Sequence, residues 1–534
     1  MAFRILSGDL SGLSGRSVEV EADLVSALSS FHITGLPGPG IRESRQRIRS
    51  AIENSGFRFP DRHRVVVHLA PASVNKEGSY FDLAIALAIL VESGQIPPEV
   101  VQPHAFLGEL ALDGSLRPVR GGATVADHLH KVLRWIPGES DRISAQQERS
   151  EGTLEMALFV PPGQKPPCKP EPESPVEILE CESLVQVVRI LKDGGPVPTI
   201  QRGIEVIACE VDQGEGQEVT GQTDMSDVVG QVQARRALEI SAAGEHPLLM
   251  IGPPGCGKSL LARRLPGLLP ALEAEDRFKV RQIRELIDGP CDAEGERPFR
   301  SPHHSITVAG LVGGGAPIRP GEISRAHRGV LFLDELPEIS LAALEALREP
   351  LEEGVVTLSR AAGSMVFPGQ FLLVAAMNPC PCGQGVGGRC RCHSSERHRY
   401  RRKLSDPLLD RFDLHVSLKP VHVPLFSESV GEPPESSARI RMRVERARNR
   451  AESRGTKEPN GKLKWADRDR WLQLNSDSRQ LLEQWEQEQS WSMRRWIRFL
   501  RVARSIADLD EGDTIEEEHL LEAHSLCVPK ISES

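Results

Sequence analysis

No part of this 534-residue chain reaches about 18 consecutive apolar residues, so the sequence predicts no membrane-spanning helix. The best apolar run, from Leu83 to Val91, has the length of a buried core helix. Charge and glycine interrupt the first residues before an apolar stretch forms, so no secretory signal is expected. Ten cysteines in a chain of this size do not indicate a disulfide scaffold. These absences together favour a cytoplasmic protein.

The chain also has fewer basic than acidic residues. The chain carries 65 Lys and Arg residues against 75 Asp and Glu residues, a formal net charge of −10. This balance disfavours a nucleic-acid binder that is basic over its whole surface, although a local basic surface such as a pore lining stays compatible with it. No internal repeat of fixed period is visible. The length predicts about two to four domains, each large enough for its own core.

A complete phosphate-binding motif, G-x-x-x-x-G-K-[ST], lies at residues 252–259. It follows the apolar run 247–251 and precedes the helix-like run 260–265, which is the strand, loop and helix order that the motif requires. Lys258 is expected to reach the β- and γ-phosphates of a nucleotide, and Ser259 to ligate Mg²⁺. The predicted ATP-binding residues are Gly252, Pro253, Pro254, Gly255, Cys256, Gly257, Lys258 and Ser259.

A second apolar run, 330–333, ends in Asp334 and Glu335 and is typical of an interior parallel strand. Asp334 is expected to hold Mg²⁺ with Ser259, as in other phosphate-loop NTPases, and Glu335 to act as the general base on the attacking water. An ordinary strand end with two solvated acids is the alternative. The position 75 residues after Ser259 favours catalysis.

A third strand-like run, 371–377, ends at Asn378, and Arg411 lies in the segment 406–413 before another apolar stretch. This order of parts resembles that of AAA+ ATPases. The resemblance implies that Asn378 is the sensor-1 residue and that Arg411 is an arginine finger for the γ-phosphate bound by a neighbouring subunit. A planar cation from outside the site suits the charge that spreads over the γ-oxygens. A homo-oligomeric ring, with six subunits as the expected number, is therefore predicted.

Four of the ten cysteines lie within thirteen positions: Cys380, Cys382, Cys390 and Cys392. Four thiolates can complete a closed tetrahedral Zn²⁺ site, so the loop 380–392 is predicted to bind zinc. The C-x-C spacing is tighter than the usual C-x₂-C. Free thiols and a redox pair are the alternatives, and His393 is a spare possible ligand.

Directly after the cysteines, six basic side chains surround one tyrosine in the basic strip, residues 397–403. Arg399, Arg401 and Arg402 are predicted to contact nucleic-acid phosphates, with Tyr400 able to stack on a base. A solvated, charged helix face is the competing interpretation of the same pattern.

The whole chain resembles the ComM/YifB family of magnesium-chelatase-like AAA+ ATPases, essentially from end to end. One group of motifs, between 34 and 122, includes Thr-Gly-Leu-Pro-Gly and Lys-Glu-Gly-Ser-Tyr-Phe-Asp-Leu-Ala. A second, between 299 and 335, includes Phe-Arg-Ser-Pro-His-His and Pro-Gly-Glu-Ile-Ser. The third is Asn-Pro-Cys-Pro-Cys-Gly at 378–383. Together they are far more specific than a phosphate loop alone.

The resemblance implies a Lon-protease-like fold, of the ribosomal S5 domain 2-like kind, for residues 1–196. In that fold a serine nucleophile and a lysine occupy positions that fall here on Tyr80 and Thr124, with Ser79 adjacent. Without a lysine to take its proton, a serine hydroxyl remains a poor nucleophile at neutral pH. The domain is therefore expected to be catalytically inactive and to serve as a collar or docking platform.

Two β-hairpins are expected in the ATPase core. One lies in the glycine-rich segment 298–325, where related AAA+ proteins carry a hairpin that points into the central pore, and the other spans 355–366. The candidate pore cations are Arg319, Arg325 and Arg360, with solvated loop charges as the alternative. His303 and His304 are expected to be structural or switch residues rather than metal ligands.

The C-terminal region, 425–534, shows helical spacing and resembles the family's helical lid. In that lid a Ser-x-Arg supplies the sensor-2 arginine, which here is Arg494, with Arg498 and Arg501 as alternatives one and two turns further on. A polar, glycine-rich linker is expected at 197–224 and the AAA+ core at 225–424.

The sequence thus predicts an α/β multidomain protein with a Lon-like α+β domain, an AAA+ core and a helical lid. The resemblance implies an ATP-driven ring motor on single-stranded or branched DNA, active in branch migration during natural transformation or recombination, with ATP, Mg²⁺ and Zn²⁺ as cofactors. The runner-up is a magnesium-chelatase-like motor, although no D-x-S-x-S metal-dependent adhesion motif occurs. The third interpretation is a protease or protein-remodelling machine, and the missing lysine at Thr124 opposes only its protease half.

Overall fold

The computed structural model describes residues 3–135, 156–166, 176–193, 224–289, 296–315, 318–360, 363–384, 390–420, 435–456 and 458–528. The chain divides into two units. The first is drawn from Met1–Val211 and Ala274–Glu294, and the second from Asp212–Glu273 and Gly295–Ser534. The linker predicted at 197–224 lies outside the described residues, apart from Asp224.

The strands of the first unit are, in chain order, β1 (Arg4–Ser11), β2 (Ser14–Val25), β3 (Ser30–Thr34), β4 (Arg64–Ala70), β5 (Ala105–Phe106), β6 (Glu109–Leu110), β7 (Leu116–Arg117), β8 (Met156–Val160) and β9 (Val176–Glu180). A seven-stranded sheet has the order β3-β4-β2-β1-β5-β8-β9, and β6 pairs with β7 separately. β2 runs antiparallel to β1 and β4, whereas the other neighbours in the sheet are parallel. In β4, Val65, Val67 and Leu69 are buried and alternate with half-buried residues, so one face meets the core.

Four helices of the first unit are α1 (Pro39–Asn54), α2 (Asp82–Glu92), α3 (Gly122–Trp135) and α4 (Leu184–Asp193). α2 is buried from Asp82 to Val91, which confirms the core helix predicted from the apolar run. α1 instead places Ile41, Ile48 and Ile52 on one buried face, as expected of a helix with solvent on its other side. α2 and α3 both pack against β1 and β2.

The strands of the second unit are β10 (Leu248–Ile251), β11 (Phe299–Arg300), β12 (Gly313–Gly314), β13 (Arg319–Pro320), β14 (Val330–Leu333), β15 (Val355–Arg360), β16 (Gly363–Pro368), β17 (Leu372–Met377) and β18 (Leu414–Ser417). A five-stranded sheet has the order β11-β14-β17-β10-β18, and all its pairs are parallel. β10, β14 and β17 are buried at every position, as their continuous apolar runs predicted. Their carboxyl ends meet at one edge of the sheet, which brings the loops that follow them together.

Both hairpins that the sequence predicted are present. β12 pairs antiparallel with β13, and β15 with β16. A Cβ atom at Gly313 would lie 3.0 Å from the Leu358 side chain, so β12 passes close to β15. The two hairpins therefore pack against each other in the second unit.

After α4 the described helices are α5 (Val232–Gly244), α6 (Lys258–Ala262), α7 (Leu265–Leu268), α8 (Ala274–Asp288), α9 (Val308–Val312), α10 (Glu322–Arg325), α11 (Leu341–Glu345), α12 (Arg348–Glu353), α13 (Ser394–Arg401), α14 (Asp406–Leu409), α15 (Ser437–Ser453), α16 (Arg468–Trp471), α17 (Ser476–Glu488), α18 (Met493–Leu509) and α19 (Glu517–Cys527). α15 and α18 contact α5 and each other, around the buried side chains of Trp471, Phe499 and Ile506. The helical spacing expected of the C-terminal region is present in α15, α17 and α18. Across the described ranges, no helix has the length and apolarity to span a bilayer.

α8 follows the phosphate loop in sequence but groups with the first unit. The Arg120 guanidinium donates a hydrogen bond to the Ile287 carbonyl at 3.1 Å, and Arg281 donates to the Gly163 carbonyl. Arg281 also pairs at 2.6 Å with the buried carboxylate of Glu285. The units of the fold thus differ from the prediction of one continuous core from 225 to 424, because this helix packs with residues far earlier in the chain.

Candidate functional site

The phosphate loop, 252–259, connects β10 to α6 at the carboxyl edge of the parallel sheet. Gly255 and Gly257 have φ angles of 76° and 92°, in the left-handed region that favours glycine. Gly257 turns the chain into α6, which begins at Lys258. The loop takes this shape because glycine stands where other residues would be strained.

Lys258 lies at the centre of the site. Its ammonium group donates hydrogen bonds to the carbonyls of Gly252 at 2.6 Å and Pro253 at 3.0 Å, and to Asn378 Oδ1 at 3.0 Å. Burial lowers the pKa of Lys258, while Cys256, Asp334 and Glu335 oppose that shift. The sensor-1 candidate Asn378, which directly follows β17, is therefore brought to the phosphate loop as the sequence predicted.

Ser259 and Asp334 meet next to this lysine. The Ser259 hydroxyl donates a hydrogen bond to Asp334 Oδ2 at 2.7 Å, although 75 residues separate them. A hydroxyl and a carboxylate oxygen are hard ligands of the kind that Mg²⁺ accepts beside nucleotide phosphates. The two residues are thus placed to hold the ion that the sequence predicted for them.

Glu335 follows with a φ of 49°, and its N–H donates to Asp334 Oδ1 at 2.9 Å. About half of its side chain is exposed, and Oε2 lies 3.0 Å from Nδ1 of His304. The ring of His304 also contacts that of His303, with centroids 4.0 Å apart. Sequence reasoning missed the pairing of His304 with Glu335. No sequence signal showed it, because it depends on β11 and β14 being parallel neighbours, which places residues after β11 beside those after β14.

Arg411 and Arg494 share one carboxylate. Arg411 forms an ion pair with Glu352 Oε1 of α12, and Arg494 reaches the same oxygen at 3.1 Å. The hydrogen bonds from Arg411 and then Arg494 lower the pKa of Glu352. The arginine-finger candidate and the sensor-2 candidate therefore lie side by side, a pairing that the sequence did not predict.

The two alternatives to Arg494 have other partners. Arg498 donates to the Asp410 carbonyl and carboxylate, the latter at 3.1 Å. Arg501 donates to the carbonyls of Gly461 and Leu463. Arg494 thus remains the most exposed of the three, with 60 % of its side chain in contact with solvent.

The four cysteine sulfurs lie within 4.8 Å of one another. The Sγ atoms of Cys380 and Cys382 are 3.4 Å apart, and each is 3.7 Å from that of Cys390. Four sulfurs bound tetrahedrally at about 2.3 Å from Zn²⁺ would be separated by about 3.8 Å, so the cluster fits this ion. A backbone hydrogen bond from Gln384 lowers the pKa of Cys382 to about 6, whereas desolvation raises the pKa values of Cys390 and Cys392.

The cysteine loop also touches the nucleotide site. Cys380 lies two residues after Asn378, and a Cβ atom at Gly383 would lie 2.7 Å from the ring of Pro254 in the phosphate loop. This side of the cluster therefore packs directly on the segment that is predicted to hold phosphates.

The basic strip falls on α13 and the residues after it. Arg399 and Arg402 are exposed, and Arg401 is half-buried. Tyr400 is only 7 % exposed, and burial raises its pKa to about 12. The prediction that Tyr400 stacks on a base is therefore wrong for this structure, because the ring packs inside the protein.

The candidate pore cations differ in their surroundings. Arg319 is exposed on β13, at the hairpin end. Arg325 lies instead in α10, half-buried, with Glu322 Oε1 at 3.5 Å, so the structure does not place it at the hairpin tip. Arg360 ends β15, and its side chain lies outside the described residues.

In the first unit, the positions expected for protease catalysis are occupied by other contacts. The Tyr80 hydroxyl donates to the Arg120 carbonyl at 2.7 Å, and Ser79 donates to the Glu109 carboxylate. Thr124 is buried in α3. The tyrosine and the serine thus serve hydrogen bonds within the fold.

Three family models match this chain. Magnesium chelatase, subunit ChlI, matches residues 224–424; subunit ChlI of Mg-chelatase matches 20–133; and magnesium chelatase, subunit ChlI C-terminal, matches 434–526. YifB of Escherichia coli is 38 % identical over 519 residues, which cover 96 % of this chain and 94 % of YifB. Competence protein ComM of Haemophilus influenzae is 36 % identical over 520 residues, with the same coverage.

The chain belongs to the ComM/YifB family of magnesium-chelatase-like AAA+ ATPases. A magnesium-chelatase 67 kDa subunit of Chlorobaculum tepidum is also similar, with 28 % identity over 156 residues, 29 % of this chain and 23 % of that subunit. Membership of the ComM/YifB family accounts for the residues that converge on the phosphate loop, and it suggests ATPase activity and a ring assembly.

Proposed function

We propose that this chain is the ATP-hydrolysing subunit of a ring-forming motor that acts on DNA in the cytoplasm. The observation that carries the proposal is the meeting of the phosphate loop with the ends of β14 and β17, through Ser259–Asp334 at 2.7 Å and Lys258–Asn378 at 3.0 Å. These contacts join residues 75 and 120 positions apart, in the arrangement that phosphate transfer needs.

The chemistry follows from the positions of these side chains. ATP phosphates would replace the carbonyl contacts of Lys258, whose charge then compensates the β- and γ-phosphates. Ser259 and Asp334 would hold Mg²⁺, which neutralises phosphate charge when it is bound. Glu335 would take a proton from water as its oxygen bonds to the γ-phosphorus and the bond to ADP breaks. Asn378 would keep the γ-phosphate and the water in line.

The shared carboxylate of Glu352 supports a role for two arginines in the ring. Because Arg411 and Arg494 meet at one oxygen, both can be presented to one phosphate group. In a hexamer they would complete the site of the adjacent subunit, where a planar cation stabilises the charge on the γ-oxygens. The C-terminal helices would then form the lid, and the first unit, as a Lon-like domain, would form a collar on the ring.

We further propose that Cys380, Cys382, Cys390 and Cys392 bind one Zn²⁺ per chain. Metal analysis of the native protein and of Cys390→Ser/Cys392→Ser tests this assignment, with Cys181→Ala/Cys527→Ala as a control that removes two thiols elsewhere. Zinc should disappear only from the first variant. Unchanged zinc in that variant would exclude these ligands.

The DNA part of the proposal is supported by the exposed cations and by a relative. Arg399 and Arg402 are exposed on the basic strip, and Arg319 on the first hairpin. Arg360 ends a strand of the second hairpin. The similarity to competence protein ComM favours single-stranded or branched DNA as substrate and branch migration as the outcome.

The test is a salt titration of DNA binding by the intact ring in ATP and Mg²⁺. Neutralising Arg399, Arg401 and Arg402 to glutamine should weaken binding to all sequences alike. It should also flatten the dependence of log affinity on log salt, by roughly 0.7–0.9 for each DNA phosphate that is no longer neutralised by an arginine. The matched control neutralises three exposed arginines elsewhere, Arg189, Arg439 and Arg446. ATP hydrolysis without DNA should survive in both variants.

A magnesium-chelatase-like or protein-remodelling motor is the second candidate, favoured by the similarity to the magnesium-chelatase 67 kDa subunit. The same titration separates the candidates. An unchanged salt slope would show that the basic strip is a solvated helix face that does not contact DNA phosphates. If the intact ring binds no DNA at low salt, the DNA motor is excluded and the second candidate takes its place.

A further inference from the structure

One face of α18 lies alongside the segment 410–413, which contains the arginine-finger candidate Arg411. This face carries Arg494, Arg498, Arg501 and Ser505. At 100° per residue, offsets of 4, 7 and 11 place these four side chains within an arc of about 60° on one helix face. Three of them meet the segment 410–413: Arg498 directly, Arg494 through Glu352 and Ser505 through His246.

The first two contacts hold the exposed end of the segment. Arg498 donates hydrogen bonds to the carbonyl and the carboxylate of Asp410, which is the residue immediately before Arg411. Arg494 forms an ion pair with Glu352 Oε1, and Arg411 pairs with the same oxygen. The backbone before Arg411 and the guanidinium of Arg411 are thus both tied to one helix.

A buried row of three side chains holds the other end of the segment. His246 places Nε2 2.8 Å from the Ser505 hydroxyl and Nδ1 2.9 Å from Asp413 Oδ2. Ser505 and His246 are completely buried and Asp413 is 6 % exposed. The same carboxylate opposes the lowering of the Arg501 pKa by burial. A serine, histidine and aspartate in line resemble a hydrolase triad, but this serine is sealed from any substrate, so the row must act within the protein.

We propose that α18 positions Arg411 for the neighbouring subunit, through Arg498 at one end of the segment and the Ser505–His246–Asp413 row at the other. This inference rests on the proposed role of Arg411 in trans. The named side chains are positioning residues, since they act through Arg411 and the segment that carries it.

The competing interpretation is that the network only stabilises the fold, and mixed rings separate the two. The test variants are Arg498→Ala and, as the smaller change, Ser505→Ala. Each should lower ATP turnover about 10- to 100-fold, the cost of misplacing a catalytic group by about 1 Å. Nucleotide affinity should stay within about twofold, because each variant keeps its own phosphate loop. Arg446→Ala, which removes an exposed arginine of α15 from an ion pair with Glu511, is the matched control and should change neither quantity.

Each variant is then mixed with Lys258→Ala, which lacks a working nucleotide site but has a normal finger, or with Arg411→Ala, which lacks only the finger. Mixing with Lys258→Ala should raise turnover, because that protein supplies fingers to the intact nucleotide sites of the positioning variant. Mixing with Arg411→Ala should not, because neither protein then presents a finger correctly. Rescue by Arg411→Ala would place the defect in the variant's own nucleotide site and overturn the proposal. Rescue by neither partner would show a general loss of structure or assembly and would also overturn it.

The mixture of Lys258→Ala with Arg411→Ala is the reference. If it recovers activity, Arg411 acts in trans, and the mixtures with the positioning variants then test only the role of α18. If it recovers none, the trans role of Arg411 fails, and the positioning role of α18 falls with it.

Discussion

Each unit of this protein contains a buried lysine that bonds backbone carbonyls, yet the surroundings of the two differ. Lys258 is 8 % exposed and bonds the carbonyls of Gly252 and Pro253. Lys76 is 0 % exposed and bonds the carbonyls of Gly35, Pro71 and Val74. Burial is the largest influence on both and lowers the pKa of each.

The two lysines differ in the other groups that surround them. Lys258 also bonds Asn378 and lies near Asp334 and Glu335. In its loop, a Cβ atom built at Gly255 or Gly257 would meet nothing within 4 Å, which leaves room for a ligand. Lys76 holds together a turn and a strand end, and nothing in its contacts offers a place for phosphate. Burial of a lysine therefore does not identify a site, whereas convergence of several catalytic groups on that lysine does.

The largest expected effect sharpens the catalytic side of this comparison. Glu335→Gln should lower ATP hydrolysis by about 10²- to 10⁴-fold while ATP affinity stays within about twofold, because the glutamate acts on water and not on bound phosphate. Glu338→Gln, three residues later on an exposed ion pair with Lys403, is the control and should hydrolyse ATP normally. Steady-state hydrolysis and ATP titration measure both. Normal turnover by Glu335→Gln would remove this residue from the base role.

The next effect concerns the structural lysine. Lys76→Met should destabilise the first unit by about 4 kcal/mol, because three partly buried hydrogen bonds to carbonyls are lost, at about 1–1.5 kcal/mol each. Lys192→Met, which removes an exposed lysine from a single carbonyl contact in the same unit, should cost less than about 0.5 kcal/mol. Hydrogen exchange of β2 and β4 reports this unit separately. Equal protection in the two variants would contradict the structural role of Lys76.

The smallest effect is a pH dependence. His104 in the first unit accepts a hydrogen bond from the Ala157 N–H at Nδ1, and burial lowers its pKa to about 4. Between pH 6.5 and 4 the histidine is protonated in the unfolded chain but stays neutral in the folded unit. The free energy of unfolding therefore decreases as the pH is lowered through this range, by at most about 3 kcal/mol. The buried His415 has the same sign in the second unit, with its pKa also lowered to about 4.

Exchange of first-unit amides at pH 7 and pH 4.5, in the native protein and in His104→Gln, measures this contribution. The variant should lose part of the pH dependence in the first unit and keep that of the second. The same pH slope in both proteins would rule out His104 as its source.

The sequence was sufficient where contiguous residues set the structure of the candidate site. The loop 252–259 fixes its own shape through glycine, and the apolar runs before it and before Asp334 predicted the buried parallel strands that the structure shows. The roles of Asn378 and Arg411 were implied by the resemblance to AAA+ ATPases and stay predictions. The loop and the strands depend on local chain geometry and on one sheet, so a linear pattern predicts them.

The sequence was insufficient where contacts join distant elements. Nothing local shows that Tyr400 turns inward, since a tyrosine among arginines suits either a core or a surface. The meeting of Arg411 and Arg494 at Glu352, of His304 with Glu335, and of α8 with the first unit all depend on tertiary packing. Hydrogen bonds between such side chains arise only after the sheet and the helices have been placed.

The most direct test of the central claim is an ATP titration in Mg²⁺ of three proteins in parallel: native, Lys258→Ala and Lys76→Met. Loss of a charged hydrogen-bond donor to phosphate should weaken ATP binding by Lys258→Ala about 100-fold or more with the fold intact. Lys76→Met should bind ATP within about twofold of the native protein at a temperature where it remains folded. Native affinity in Lys258→Ala would contradict the account, since the phosphate loop would then not be where this chain holds its nucleotide.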